Sequence, residues 1–176
     1  MAEGVVAVFT GKNLKNGMTA DGGSGHWIAR EGRVNDAQYL LCIRNRRETW
    51  AETDVEHGTA FLVARISGTS KSEYENRIVI NFNEYAEIHV LNAWHLCTGG
   101  QRYPVAYLDT DLVQESLGLD FGSLDWKPFN SSVQNSPQTP KKSAMDTQRT
   151  AFMEAKAMLS EMLGVPEENI EITVRY

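Results

Sequence analysis

The sequence predicts an α+β fold: a curved antiparallel sheet or small β-barrel, then a long C-terminal helix and a final C-terminal strand. Three observations carry it. Short apolar or alternating runs recur up to residue 90, separated by turn residues and by no long helical pattern. One helical stripe comes late, at Phe152, Ala155, Leu159, Met162 and Leu163. An alternating run, Ile170, Ile172, Val174 and Tyr176, follows it.

Taken in order, Gly4–Thr10 is β-branched, apolar and closed by Gly11, as a buried strand would be. Lys12–Gly25 is rich in Gly and Asn and reads as a mobile loop, and the cluster Gly22–Gly25 lacks the strand-turn-helix setting of a phosphate cradle. His26–Arg30 is a candidate second strand. Tyr39–Arg44 and Ala60–Ile66 are nearly continuous in apolar residues, the pattern of central strands. Arg77–Phe82 and Ala86–Val90 both alternate, so they form a hairpin or one strand broken by a bulge. Asp109–Leu117 is a short helix with Gly118 as its stop. Asn130–Lys142 is polar, contains Pro and has little apolar surface to offset ordering entropy, so residues 130–142 read as a flexible linker. Ser143 or Asp146 can cap the late helix, and Gly164 and Pro166 end it. A last strand returning to the sheet would make residues 1–176 a single domain.

The composition excludes several classes. A net charge of −6 over 176 residues opposes general attraction to polyanions, though not a local basic face. No apolar run approaches the ~20 residues of a membrane helix, and no secretory leader is apparent, so the expected location is the cytoplasm, with no membrane partner. The two cysteines form no disulfide framework. Cys42, between Leu41 and Ile43, should be buried and inert, whereas Cys97, beside Gly99 and Gly100, should be more accessible.

Catalytic and metal motifs are lacking. His89, His95 and Cys97 miss the paired spacing of zinc sites, and His89 falls on the polar face of its strand. No P-loop or Gly-x-Ser-x-Gly elbow occurs, and no motif calls for a cofactor. An enzyme reading has only Cys97 with His95, which would share a face on an extended chain.

The distinctive feature is arginine mixed with aromatic residues: Trp27, Arg30, Arg33, Tyr39, Arg44, Arg46, Arg47 and Trp50, continued by Tyr74, Arg77, Tyr85 and Trp94. Guanidinium forks match phosphates and base edges, and aromatic faces stack on unpaired bases. The competing explanation is core packing with snorkelling arginines. On the first view Trp27, Trp50 and Trp94 stack, and Arg44, Arg46 and Arg47 contact phosphate or base edges. The partner is then single-stranded or base-modified nucleic acid. The alternative is an acidic interaction factor that engages a protein partner through its C-terminal helix.

Tyr39–Asn45 and His57–Gly68 resemble the PUA-like superfamily, in which a strand, a polar connection and a glycine lead into a strand crossing a small barrel. The resemblance covers about a third of the chain. It implies a barrel architecture, and in the ASCH and EVE groups a cleft at the barrel edge for nucleic acids, modified bases or nucleotides.

Overall fold

In the computed structural model, which describes residues 4–130, 157–164 and 169, the first strand, β1 (Gly4–Thr10), sits inside the sheet and not at its edge. The remaining strands are β2 (Ser24–Trp27), β3 (Ala37–Arg44), β4 (Ala60–Lys71), β5 (Ile78–Val90), β6 (Val105–Asp109) and β7 (Lys127–Pro128). Their order is β2-β5-β4-β3-β1-β6, with β7 on β5, in a strongly curled half-barrel. The α+β class and the curled sheet are as the sequence predicts. One pairing differs: β1 runs parallel to β3, so the sheet is mixed. A parallel neighbour requires a crossover of a dozen residues or more. Here the crossover is residues 11–36, of which the sequence reads Lys12–Gly25 as a mobile loop and His26–Arg30 as a strand. It contains a π-helical turn (Leu14–Met18), the short α1 (Thr19–Asp21), β2 and α2 (Glu31–Asp36).

The continuous apolar character of β1 and β3 follows from burial on both faces. Val5, Ala7, Tyr39, Leu41 and Ile43 pack on one side with Trp94, Val113, Leu117 and Phe121. That side carries α3 (Ala93–Thr98) and α4 (Thr110–Leu117). Val6, Val8, Leu40 and Cys42 pack on the other with Met18, Val34, Phe82 and Phe129. Met18 and Val34, both fully buried, anchor the crossover to that face. The period-2 alternation is therefore present in space although the sequence hides it.

The bulged-strand option for residues 77–90 is the one realised. β5 is continuous, and its pairing with β4 shifts register around Arg65, Ile66 and Gly68. The short helix is also as expected. The Asp109 carboxylate accepts from the Asp111 and Leu112 amides at 3.0 and 3.3 Å, and Gly118 takes the left-handed conformation that stops α4. The chain divides into two compact units, Met1–Asn135 and Ser136–Tyr176. The first holds all seven strands found among the described residues. In the second, residues 157–163 are helical and Gly164 is left-handed, with Met158, Met162 and Leu163 exposed. The expected strand at 170–176, and the linker at 130–142 apart from Asn130, lie outside the described residues. None of the helices among the described residues is long and apolar enough to cross a membrane.

Candidate functional site

Where β1 ends, the chain runs along the mouth of a cleft of about 560 Å³. Phe9, Thr10, Gly11 and Lys12 form one wall. Gly25, His26 and Trp27 of β2, with Tyr74 and Arg77 from the end of the β4–β5 hairpin, form another. Asn45, Glu48 and Trp50 come from the turn after β3, and Pro104 completes the lining. Four aromatic residues, Phe9, Trp27, Trp50 and Tyr74, thus share one concavity with two cations, Lys12 and Arg77, and one acid, Glu48. Trp50 and Tyr74 are 61% and 55% exposed, and unlike a singly exposed apolar residue they stand together at one concavity.

Each wall is held differently. Arg44, fully buried, grips the first. Its Nε and Nη2 donate to the Asp54 carboxylate at 3.0 Å each, and its Nη1 donates to the backbone carbonyls of Thr10 and Lys12 at 3.2 and 2.7 Å. The guanidinium also lies 4.2 Å from the Phe61 ring centre. Burial pulls the Arg44 pKa down and the Asp54 carboxylate opposes that pull. On the second wall, His26 Nδ1 lies 2.6 Å from Ser72 Oγ, and Tyr74 sits edge-on to the imidazole at 4.9 Å. Arg77 Nη1 donates to the His26 carbonyl at 2.9 Å. Lys12 is ion-paired with Asp21. The Trp27 indole N–H donates to Ser24 Oγ at 3.0 Å, so what Trp27 offers the cleft is its ring.

The sequence-predicted residues therefore separate. Trp27 and Trp50 line the cleft. Arg46 and Arg47 lie on the exposed turn beside it, where the Arg46 amide donates to His57 Nδ1 at 3.0 Å and the Arg47 amide to Asn45 Oδ1 at 3.0 Å. Arg44 leaves the set of expected ligand contacts: four of its five N–H donors are taken internally, and it positions the wall instead. Trp94 is largely core, stacked on Phe9 at 4.6 Å with its N–H given to the Gln101 carbonyl at 3.1 Å. It lines a second, smaller cleft of about 270 Å³, shared with Phe9, Arg47, His57, His95, Gln101 and Arg102 among others. Lys12, His26, Tyr74 and Arg77 were not in the expected set. Tyr74 and Arg77 were in the arginine–aromatic pattern, but only the fold brings them to Trp27.

The Cys97–His95 pairing does not have its expected basis. Both belong to α3, where residues two apart project in different directions. Burial pushes the Cys97 thiol up to about 11 and Cys42 to about 12, away from a thiolate at neutral pH. His89 is exposed. Among the described residues no group of three or more His, Cys, Asp and Glu could hold a metal ion. No family model, curated protein or solved structure matches the chain.

Proposed function

We propose that the larger cleft binds an unpaired base of single-stranded or base-modified nucleic acid, in a barrel-edge position like that implied by the PUA-like resemblance. The observation that carries this reading is Trp50: a large ring standing mostly in solvent at a cleft whose lining also holds Trp27, Tyr74, Lys12 and Arg77. Aromatic faces stack on any unpaired base, and cations beside them suit the attached phosphate. A volume near 560 Å³ lies within the range of small-ligand pockets. The net charge of −6 works against long polyanions, so affinity should come from the few nucleotides that reach the cleft and its cationic rim.

The test is a tryptophan-fluorescence titration with short single-stranded oligonucleotides at low salt, with stability measured alongside. Trp50→Ala should lose about 1–3 kcal/mol of binding if the ring stacks. Its stability should change by less than about 0.5 kcal/mol, because the ring is exposed. Arg46→Ala with Arg47→Ala should flatten the salt dependence of log K by roughly 1.4, at about 0.7 per single-strand phosphate contact. Undetectable affinity of the wild type for any oligonucleotide would end this reading and move attention to a protein partner for the helix at 157–163.

A further inference from the structure

We propose that the second cleft is an anion site built to take a phosphate group. Its lining includes Arg47, Arg102, His57, His95 and Gln101, and contains no Asp or Glu. That is a marked local reversal in a chain with a net charge of −6. The two guanidinium groups are exposed, and among the described residues neither is engaged by a carboxylate. Arg44 and Arg65, by contrast, are paired with Asp54 and Glu84 at 2.8 Å. Two arginines that line one concavity and have no carboxylate partner among the described residues suit planar, two-point recognition of phosphate oxygens.

The ring of His57 is oriented for the same task. Its Nδ1 accepts the Arg46 amide proton, so the proton of the neutral imidazole resides on Nε2 and is available as a donor. Phe9 backs the ring at 5.0 Å. Burial first, and the charges of Arg47 and Arg46 next, hold the His57 pKa below its ordinary value. Two arginines thus share this lining with His57, without an Asp or Glu in it, and a bound anion would complement them. The backbone amides of Gly58 and Gly100 are already given to the Arg44 carbonyl and to Thr98 Oγ1, so side chains do the holding.

The site stands on its own lining, and only the source of its phosphate depends on the proposed base-binding cleft. Phe9 lines both clefts, and the turn after β3 supplies Asn45, Glu48 and Trp50 to one and Arg47 to the other. A strand with one base beside Trp50 can therefore place a backbone phosphate beside Arg47. A free phosphate monoester would use the same donors.

Imidazole NMR signals test this directly, because the chain has four histidines and two of them lie elsewhere. Inorganic phosphate, titrated into the full chain at constant ionic strength, should shift His57 and His95 saturably and leave His26 and His89 in place. Arg47→Gln and Arg102→Gln should each weaken the response about tenfold, the loss of one charge-assisted hydrogen bond. Both positions are exposed, so the fold should survive, and Arg47→Lys should restore part of the affinity. Equal shifts at all four histidines, or an undiminished response in the double Gln variant, would overturn the site. An oligothymidylate that shifts these two signals together with His26, which lines the base cleft, and weakens with Trp50→Ala, identifies a backbone phosphate. Equal affinity for inorganic phosphate and oligothymidylate identifies a free anion. Loss of the Trp50 effect with phosphate shifts intact would remove the base reading alone.

Discussion

Arg44 and Asp54 should respond to mutation unequally, because they are unequally buried. The Arg44 side chain is inaccessible, while the Asp54 side chain is 40% exposed. Asp54→Ala strands a buried guanidinium with two backbone carbonyls as its remaining partners. Breaking a buried pair this way costs about 3–5 kcal/mol, and access of water to the Asp54 side should put the value near about 3. Arg44→Met leaves much less unsatisfied. The carboxylate rehydrates and keeps the Val55 amide at 3.0 Å, and the Thr10 carbonyl keeps the Asn45 amide at 2.8 Å. The Lys12 carbonyl loses the Nη1 donor, worth about 1–2 kcal/mol, and methionine refills part of the volume. The double variant should lie close to Arg44→Met and well short of the sum, since the carboxylate no longer has a charge to neutralise. Urea midpoints at constant slope give all three values. A larger loss for Arg44→Met than for Asp54→Ala, or simple additivity, would refute this account. The same Arg44→Met variant should bind ligand less well, because its target is the Thr10–Lys12 wall.

Three further outcomes are expected. A Cβ at Gly11 would stand 2.7 Å from Cζ3 of the Trp50 ring, so Gly11→Ala should tilt that exposed ring and reduce oligonucleotide affinity, with stability changed by no more than about 1 kcal/mol; unchanged affinity would mean the ring's resting place is irrelevant. Thiol reagents at pH 8 should leave Cys42 unmodified until the protein unfolds and modify Cys97 slowly, with rapid native-state labelling of Cys42 counting against the fold. His57 has a pKa lowered on folding from 6.5, so the unfolded chain binds its proton more readily. Its contribution is complete above that value and declines as pH falls through it toward the folded value. Wild type should therefore lose stability relative to His57→Asn in that window, and parallel curves would show that His57 is not responsible.

The strands were largely legible, because β-branched runs bounded by glycine report burial directly. β1 was bounded at the residues the sequence suggests, and β3 and β4 were found with ends shifted by a few residues. Strand direction was not legible. Nothing in Gly4–Thr10 says that its neighbour runs parallel, and the first half of the crossover that makes this possible, Lys12–Gly25, reads as a glycine-rich loop. Its signal was Leu14 and Met18, apolar side chains four apart among Gly, Asn and Lys. β6 and α3 were missed because each is only five or six residues long, and the Gly99-Gly100 pair between them reads as a turn. The arginine–aromatic mixture was visible, but not its partition. Arg44 and Arg46 sit two apart and differ wholly in burial, which depends on where Asp54 falls after a loop of ten residues.

The two walls of the larger cleft differ in stiffness. The Phe9–Lys12 side is tied to the sheet by Arg44 and by the Phe9 amide, which donates to the Pro104 carbonyl at 2.8 Å. The Tyr74–Arg77 side is the far end of a long, bulged hairpin whose last residues, Glu73–Arg77, stand in solvent and are fastened mainly through His26. The cleft is built like a vice with one fixed jaw and one sprung jaw. Amide exchange should be fast at residues 73–77 and slow along β1. On the proposed base-binding reading, bases of different size would be accommodated by travel of the hairpin end, each at the entropic expense of stilling it. Tight binding would accordingly be reached not by adding contacts to the fixed side but by stiffening the hairpin.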